Sequence, residues 1–245
     1  MNYQAINYEK KDFIGHVVLN RPQVLNAINA QMRKELVEVF SVMEGDPEVR
    51  AVIMSGAGER AFSGGADIKE FGTRPVEETR TGWDKVGNLF GKPVIAAVHG
   101  FCVGGALQMV LKCDIIIASE DAQFGLPEID LGIMVSDGGT QRLVRLIGPN
   151  KTLEMVLTGG RITAQEAYNF GLINKVVPRE ELMPLAQKMA KSIANKDSRL
   201  VQYYKEAVYR GRDLPLEAGL ELERDLAKMA KTEMTKGREN HKLRQ

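Results

Sequence analysis

The sequence predicts an α/β fold, because short apolar runs with strand character alternate with stretches of helical periodicity. The strand candidates lie at 14–19, 51–55, 94–98 and 114–118. Between the first two, Asn29 is a suitable N-cap for a helix in which apolar residues recur at helical spacing up to Met43. After Asp137 the pattern becomes mostly helical, with one short strand candidate at 173–177 and a helix after Pro178.

The composition fits one main domain that binds a small ligand. A chain of 245 residues with 44% hydrophobic residues can bury one sizeable core. Its 33 Lys and Arg nearly cancel its 32 Asp and Glu, which leaves a formal net charge of +1. This balance argues against a nucleic acid or an anionic membrane surface as the partner, and it fits a small neutral or anionic ligand.

The cysteines and the first residues predict a cytoplasmic protein. Cys102 and Cys113 form no CxxC pair, so neither a disulfide framework nor a zinc site is expected. Residues 1–20 carry charges where a signal peptide needs an apolar core, and no apolar run reaches the roughly 18 residues of a membrane span. We therefore expect a soluble chain that is not exported.

Two glycine pairs, Gly64-Gly65 and Gly104-Gly105, each follow a strand candidate and precede a helical pattern. Tight turns of this kind leave early backbone N–H groups unpaired at the positive end of a helix dipole, where an oxyanion can bind. The N–H groups of Ala66 and Gly105 are the candidates. Two donors converging on one carbonyl oxygen would stabilise charge that develops only in the transition state, and loss of one typically costs ~3 kcal/mol. The alternative is that both turns are ordinary strand-to-helix connections.

Five segments carry a family resemblance: AFSGGADIKEF, KPVIAAVHGFCVGGALQM, CDIIIASEDAQFGLPEIDLGI, DGGTQRLVRLIG and LTGGRITAQEAYNFGLINKVV. In order and spacing they resemble the crotonase (enoyl-CoA hydratase/isomerase) superfamily over about residues 13–234. The resemblance implies a crotonase (ClpP-like) spiral of ββα repeats with the active site in residues 1–190, and a C-terminal helical trimerisation region in residues 191–245. It also implies a homotrimer or a hexamer built as a dimer of trimers. The substrates would be acyl-CoA thioesters, with coenzyme A as part of the substrate and no separate cofactor or metal.

The resemblance also assigns binding positions. Ala66 and Gly105 match the family's oxyanion-hole N–H groups, in agreement with their places in the two glycine turns. The nucleotide and pantetheine arm of coenzyme A is expected along two segments, Leu25-Asn26-Ala27 and Ala66-Asp67-Ile68. Asp67 could equally serve as a helix-start carboxylate that complements the dipole.

The proton-transfer positions depart from the family pattern. Hydratases of the family use two glutamates 20 positions apart, and the matching residues here are Gln108 and Glu128. An amide cannot exchange a proton, so Gln108 could only position a water, whereas Glu128 can act as a proton shuttle if burial raises its pKa. In the family's isomerases a single glutamate at the position of Glu128 suffices. Asp137, which precedes Gly138-Gly139, is either a helix N-cap or a partner of Glu128 in the pocket.

The expected function is hydration or dehydration of an enoyl-CoA, or a shift of its double bond, through an enolate held in the oxyanion hole. Because position 108 is not a glutamate, the alternatives are other crotonase chemistry, such as thioester hydrolysis or decarboxylation, and a non-catalytic relative that binds CoA thioesters or RNA. The acyl group is not predicted, since the shape of its pocket depends on residues 71–89.

Two other enzyme classes have weak signals in the sequence. Residues 55–61, SGAGERA, imitate a dinucleotide fingerprint, but the helix that such a motif needs does not start there. Ser63 and His99 could belong to a serine hydrolase, but no GxSxG motif occurs.

The last helical stretch, 215–234, has an apolar face formed by Leu216, Leu220, Ala227 and Ala230. This face could close the chain's own domain or serve in assembly. The tail at 236–245 departs from the usual family ending, which often contributes a basic contact to coenzyme A, so that contact is not assigned to any residue here.

Overall fold

The chain folds as an α/β structure, and the computed structural model describes residues 3–70 and 90–242, with side chains up to residue 233. Within these residues, ten strands, β1 to β10, span Ile6–Lys11, Ile14–Leu19, Ala51–Gly56, Ala61–Ser63, Val94–Val98, Phe101–Val103, Ile115–Ser119, Gln123–Gly125, Arg161–Thr163 and Lys175–Val177. In the same ranges, seven helices, α1 to α7, span Ala30–Gly45, Gly105–Val110, Gly139–Thr158, Ala164–Asn169, Arg179–Ala194, Ser198–Gly211 and Leu216–Lys242.

The strands form two sheets, and the chain alternates between them. The larger sheet has the order β1-β2-β3-β5-β7-β10, and the smaller has the order β4-β6-β8-β9. In the larger sheet β1 and β2 are antiparallel, and every other neighbouring pair is parallel. In the smaller sheet β4, β6 and β8 are parallel, and β9 runs antiparallel to β8. The passage from β3 to β4, from β5 to β6 and from β7 to β8 is the repeat that the predicted spiral requires.

The central strands of the larger sheet are covered on both faces. All of β5 and nearly all of β3 are buried. On one face, Ile53, Ile95 and Ile117 pack against Leu182 and Ala186 of α5. Alternate residues of the same strands belong to a larger core cluster that includes the buried side of α1. Parallel strands that are covered on both sides need apolar residues at nearly every position, which explains the continuous apolar runs in the sequence.

Helix α1 is positioned by its N-cap and by a buried carboxylate. The side chain of Asn29 accepts a hydrogen bond from the N–H of Met32 at 2.9 Å, as the sequence predicts. The carboxylate of Glu35, which is 3% exposed, accepts hydrogen bonds from the backbone N–H groups of Gln4, Ala5 and Ile6. Burial tends to raise the pKa of Glu35, but the hydrogen bonds from Gln31 and from these N–H groups hold it below its usual value. The segment that leads into β1 is therefore docked on α1.

The strand and helix predictions for the larger sheet are confirmed to within two residues. The sequence analysis missed β1, in which most positions are exposed or half-buried, and the four strands of the smaller sheet. Each strand of the smaller sheet has three residues. A run of three residues is too short to show the alternation from which a strand can be recognised.

The C-terminal helices are tied to the core at a few points. Lys205 of α6 donates hydrogen bonds to the carbonyl of Lys92 at 3.0 Å and to the carboxylate of Asp114 at 2.8 Å. In α7 the buried residue is Leu226, whereas Leu216 of the predicted apolar face is 77% exposed. In the described part of the chain, that face therefore does not close the chain's own domain.

The predicted domain boundary after residue 190 falls inside α5, Arg179–Ala194. Helix α5 packs on the larger sheet and belongs to its core, so the core extends past residue 190, and the division into two regions stays a prediction. No helix in residues 3–70 and 90–242 is long and apolar enough to cross a membrane. The trimerisation role and the cytoplasmic location stay predictions.

The variant Glu35→Ala should lower the free energy of unfolding by about 2–3 kcal/mol, because three backbone N–H groups lose a charged acceptor. Urea denaturation at neutral pH measures this difference. Glu38→Ala, an exposed position on the same helix, is the matched control and should change stability by less than about 0.5 kcal/mol.

The destabilisation by Glu35→Ala should also depend on pH. The pKa of Glu35 is lower in the folded chain than in the unfolded chain, so its stabilising contribution is complete above the unfolded-state pKa. It is then lost as the pH falls through the folded-state pKa. A difference between wild type and variant that stays constant in acid would contradict this account of Glu35.

Candidate active site

The two predicted glycine turns meet in the structure. Gly65 and Gly104 have φ angles of +88° and +59°, which residues with side chains rarely adopt. A methyl group on Gly65 would lie 2.6 Å from the carbonyl oxygen of Val103 and 3.2 Å from the nitrogen of Gly105. Because the shorter distance is well below van der Waals contact, only glycine fits at this position. The close approach places Ala66 beside the start of α2.

The N–H of Ala66 is oriented by a β-bridge rather than by a helix start. Ile28 and Ala66 form an isolated parallel bridge, in which the N–H of Ile28 donates to Gly65 O at 2.8 Å and the N–H of Asp67 donates to Ile28 O at 3.1 Å. Successive N–H groups of an extended segment point to opposite sides, so the N–H of Ala66 faces away from Ile28. The residues that follow form a 3-10 turn, Ile68–Glu70, and any continuation of the predicted helical stretch lies outside the described residues.

The N–H of Gly105 does belong to a helix start. Helix α2 begins at Gly105, and its N-cap, Gly104, makes no side-chain hydrogen bond. The first N–H groups of a helix have no partner inside the helix. A methyl group on Gly105 would lie 3.5 Å from the nitrogen of Ala66, and both residues line the same pocket. The two residues that carry the predicted donors therefore border one space.

The pocket in front of the glycine turns has a volume of about 460 Å³, which is in the range of small-molecule sites. The predicted site residues that line it are Ala66, Asp67, Ile68, Gly105, Gln108, Glu128 and Asp137. Residues 71–89, which we expect to shape the acyl pocket, lie outside the described part of the chain.

Glu128 stands beside the second glycine turn, in a 3-10 turn that spans Pro127–Leu131 after β8. A methyl group on Gly104 would lie 3.5 Å from its Oε1. This oxygen accepts a hydrogen bond from Nε2 of Gln108 at 2.8 Å, whereas Oε2 is buried and has no hydrogen-bond partner among the described residues. Burial raises the pKa of Glu128, and the hydrogen bonds from its own backbone N–H and from Gln108 offset part of that rise.

Gln108 connects Glu128 to the loop before α3. Its side chain is buried, and its Oε1 accepts a hydrogen bond from the backbone N–H of Asp137 at 2.8 Å. The amide can hold hydrogen bonds but cannot take up or release a proton. At the position that matches the first glutamate of the family's hydratases, this pocket has a neutral amide, which links Glu128 to the loop before α3.

Asp137 is held by an ion pair and does not cap a helix. Both of its carboxylate oxygens lie 2.8 Å from Nζ of Lys112, which is 2% exposed. The N-cap of α3 is Gly138, with no side-chain capping bond. The capping interpretation is therefore wrong, because the carboxylate turns toward the buried ammonium, which would be unstable without an anionic partner. A catalytic pairing of Asp137 with Glu128 stays a prediction.

The segment after the first glycine turn offers three of the expected contacts for coenzyme A. Ala66, Asp67 and Ile68 line the pocket. The Arg21 guanidinium, 2.9 Å from the carboxylate of Asp67, lowers the pKa of that carboxyl and keeps it ionised. These three positions remain candidates for ligand contact.

The other expected segment, Leu25-Asn26-Ala27, contributes to the fold. Asn26 is completely buried, and its amide donates to the carbonyls of Ala57 and Ala61 at 2.8 and 2.9 Å. No atom of Asn26 is accessible, so the structure does not support its predicted contact with coenzyme A. For Leu25 and Ala27 the contact stays a prediction.

The residues on which the two alternative enzyme classes depend lie in the described part of the chain and form no such site there. Ser63 is completely buried, and its hydroxyl donates to the carbonyl of Asn26 at 2.8 Å. His99 is also buried, and burial, together with the charge of Arg179, lowers its pKa to about 4. The imitation of a dinucleotide fingerprint lies between β3 and β4, where no helix starts.

The sequence analysis missed Lys112. It follows Gln108 by four positions, a spacing that places the two side chains on one side of a helical segment. A single lysine in the apolar run MVLKCDIII is the signal that could have identified it, because lysine is almost never fully buried unless it is paired.

Comparisons with known proteins identify the family of the chain. A model of the enoyl-CoA hydratase/isomerase family matches residues 9–243. A protein named probable enoyl-CoA hydratase, mitochondrial, from Dictyostelium discoideum is 43% identical over 221 residues, which are 88% of this chain and 79% of that protein. The short-chain-enoyl-CoA hydratase of Clostridium acetobutylicum is 41% identical over 230 residues, which are 91% of this chain and 88% of that protein.

The fold is also that of solved enzymes. The crystal structure of an enoyl-CoA hydratase from Bacillus anthracis superposes with a TM-score of 0.86 at 35% identity, and the match covers 92% of this chain and 90% of that chain. The family match over nearly the whole sequence and the shared fold lead to one conclusion: this chain belongs to the enoyl-CoA hydratase/isomerase family and has the crotonase fold.

Proposed function

We propose that the chain shifts the double bond of an enoyl-CoA thioester, with Glu128 as the proton shuttle and the N–H groups of Ala66 and Gly105 as the oxyanion hole. One observation carries the proposal. The carboxyl of Glu128 stands beside the second glycine turn with Oε1 bound to Gln108 and with Oε2 buried and unpartnered among the described residues. A carboxyl in this state can exchange a proton with a carbon atom of a bound thioester.

Other carboxylates around the pocket are already engaged. Asp137 lies 2.8 Å from the ammonium of Lys112, and Asp67 lies 2.9 Å from the guanidinium of Arg21. Glu70 accepts a hydrogen bond from the N–H of Ala30 at 2.8 Å. A carboxyl that already holds an ion pair or a backbone hydrogen bond must give up that interaction to take up a proton, which makes it a poor proton carrier. Gln108 cannot exchange a proton either, and Asp130, which also lines the pocket, is exposed to solvent. Among the described carboxyls at the pocket, Glu128 is the one with a buried and unpartnered oxygen, which supports it as the proton carrier.

A double-bond shift requires a single such group. The carboxylate of Glu128 takes a proton from C2 of a 3-enoyl-CoA, and the electron pair moves onto the thioester oxygen, which is stabilised by the two main-chain N–H groups. The protonated carboxyl then returns the proton to C4, and the dienolate collapses to the 2-enoyl thioester. The carboxylate is regenerated, and no water is consumed.

Hydration of a 2-enoyl-CoA is the second candidate, because the relatives from Dictyostelium discoideum and Clostridium acetobutylicum, at 43% and 41% identity, are named as hydratases. In that reaction Gln108 would position the water and Glu128 would activate it. Since one carboxyl would then have to serve both as base toward water and as acid toward carbon, we expect hydration to be the slower reaction.

We infer that coenzyme A enters only as part of the substrate and that its pantetheine arm lies along Ala66, Asp67 and Ile68. The support is their place at the wall of the pocket, next to the proposed oxyanion hole. The match to a family described as enoyl-CoA hydratase/isomerase is consistent with a CoA thioester as the ligand.

We also propose that the chain forms homotrimers or dimers of trimers. Leu153 and Leu157 of α3 are 52% and 63% exposed and lie one helical turn apart. The side chain of Lys151 reaches the ring of Phe170, which is itself 42% exposed, so this apolar surface continues beyond α3. Exposed apolar surface of this kind is typical of protein interfaces.

The substrate preference is the first test of the proposal. The wild-type chain should convert a 3-enoyl-CoA to the 2-enoyl-CoA faster than it hydrates the 2-enoyl-CoA, measured under the same conditions with thioesters of several chain lengths. If hydration is the faster reaction across the panel, the chain is a hydratase and the isomerase proposal is wrong.

The variant Glu128→Gln should lower kcat by roughly 100- to 10 000-fold while KM changes little, because proton transfer is lost and thioester binding is kept. Glu120→Gln, the same chemical change at an exposed residue outside the pocket, is the control. The acid limb of the kcat/KM profile should lie above the pKa of an ordinary glutamate, since burial raises the pKa of Glu128. Near-normal turnover of Glu128→Gln would refute the shuttle.

The variant Ala66→Pro should lower kcat by roughly 100- to 1000-fold, because proline has no N–H to donate to the oxyanion. The β-bridge should persist, since its hydrogen bonds use the N–H groups of Ile28 and Asp67. Ala66→Gly, which keeps the N–H, should lose much less. Steady-state kinetics would compare the two variants, and equal losses would show that the N–H of Ala66 is not what matters.

The oligomer proposal predicts a solution mass of three or six times that of the 27.1-kDa chain. Light scattering coupled to size-exclusion chromatography measures it. Charging the exposed surface with Leu153→Glu and Leu157→Glu should shift the mass toward that of the single chain. A wild-type chain that is monomeric at high concentration would refute the assembly.

A further inference from the structure

The loop that precedes α3 is held at Asp137 by three different groups. Its carboxylate binds Nζ of Lys112 with two contacts of 2.8 Å. Its carbonyl accepts a hydrogen bond from the guanidinium of Arg142 at 3.2 Å. Its N–H donates to Oε1 of Gln108 at 2.8 Å. These three interactions form a clamp on the main chain at Asp137. One of them is made by Gln108, which also binds Glu128.

The direction of the Gln108 amide follows from this clamp. A backbone N–H is a donor at every pH, so the atom of Gln108 that faces Asp137 must be the carbonyl oxygen. A reversed amide would set its NH₂ group against the N–H of Asp137, with two donors facing each other. The NH₂ group is therefore turned to Oε1 of Glu128, 2.8 Å away.

Close packing around the loop restricts the position of the Gln108 side chain. A methyl group on Gly139 would lie 3.1 Å from Cγ of Gln108 and 3.1 Å from Cδ1 of Leu126. The glycine thus lets the start of α3 rest directly on the Gln108 side chain. Gln108 lies in α2 and Lys112 follows the end of that helix, four positions later. Both side chains reach the same loop, where Gln108 binds the main chain of Asp137 and Lys112 binds its carboxylate.

We propose that the Lys112–Asp137 ion pair is a positioning device for proton transfer, which holds Gln108 so that Oε2 of Glu128 is the oxygen that carries the proton. The proposal rests on the proposed shuttle role of Glu128. A neutral carboxyl bears its proton on one oxygen and accepts hydrogen bonds on the other. An NH₂ donor held against Oε1 therefore favours the form with the proton on Oε2, the oxygen that no other described group occupies.

Several ionisable groups face this pocket, and they differ in what they touch. Besides Glu128, the charged side chains that line it within residues 3–70 and 90–233 are Arg33, Asp67, Glu70, Asp130 and Asp137. Of these, Asp137 is the one that is bonded to Gln108. A change at the ion pair can therefore reach Glu128 by two routes, through the charges themselves or through the orientation of Gln108, and the experiment must separate them.

A double substitution that removes both charges separates these routes. Lys112→Met with Asp137→Asn leaves the net charge unchanged and keeps side chains of similar size. Gln108→Leu removes the amide, and the triple variant combines all three changes. The pKa of Glu128 is measured in the ligand-free chain by carbon-13 NMR of labelled glutamate carboxyls, with the signal assigned through Glu128→Gln. Removal of the exposed pair Arg179 and Asp121 by Met and Asn is the matched control.

Gln108→Leu should raise the pKa of Glu128 by roughly one unit, because the hydrogen bond that stabilises the carboxylate is lost. The ion-pair variant should shift the pKa in the same direction and lower kcat at least about tenfold with KM little changed, as expected for lost positioning. In the Gln108→Leu background the same ion-pair substitution should have no further effect on either quantity, because its action passes through Gln108. The control pair should change neither.

Two results would overturn the proposal. One is an ion-pair variant in which both the pKa of Glu128 and kcat are those of the wild type. The other is an equal shift with and without Gln108, which would show that the pair acts by its charges or by general stability. If the double variant does not fold, Lys112→Met alone enters the same comparison, since Asp137 is 26% exposed and can be solvated. Full activity of Glu128→Gln would refute the shuttle itself. The NMR comparison would still show whether the ion pair acts on the pKa of Glu128 through Gln108.

Discussion

At the contact between Gly65 and the Gly104-Gly105 pair, two main-chain segments approach more closely than any side chain would allow. The site depends on this contact, because it sets the separation of the N–H groups of Ala66 and Gly105. The contact itself follows from the fold. Strands β4 and β6 are parallel neighbours in the smaller sheet, so the turns that follow them emerge side by side at one edge. The next neighbour is β8, and the turn after it carries Glu128. Three successive repeats of the spiral thus bring Ala66, Gly105 and Glu128 together at the carboxyl ends of the strands.

The electrostatic balance of the pocket keeps Glu128 distinct from its neighbours. Asp67 and Asp137 each have a cationic partner, and the Arg21 guanidinium lowers the pKa of Asp67. Glu128 has a neutral amide and its own backbone as hydrogen-bond donors, and its burial opposes the charged form. The site therefore contains carboxyls of the same chemical type with opposite tendencies, and the difference arises from what surrounds each one.

Much of this arrangement could be predicted from the sequence, and the failures have physical causes. The order of the main elements could be predicted, because the five family segments occur in order along the chain and the larger sheet has continuous apolar strands. The smaller sheet could not be predicted, since its strands have three residues each and are too short to show an alternating pattern. The N–H of Ala66 was predicted to be a donor from local sequence alone, which could not show that a bridge to Ile28, 38 positions earlier in the chain, orients it. The partner of Asp137 was missed because local spacing suggests a cap, and only the folded chain brings Lys112 across to it.

Because the proposed oxyanion donors belong to the main chain, mutations at this site fall into two kinds. Exchange of one side chain for another at residue 66 leaves an amide in place unless the new residue is proline, so the proposed capacity to hold a thioester enolate is resistant to mutation. The groups proposed to decide what happens to that enolate are side chains at 108, 128 and 137, which single substitutions can replace one at a time. Substitution within this scaffold can thus alter the fate of the proposed intermediate while the main-chain donors stay in place, and position 108 is one place where such a change acts.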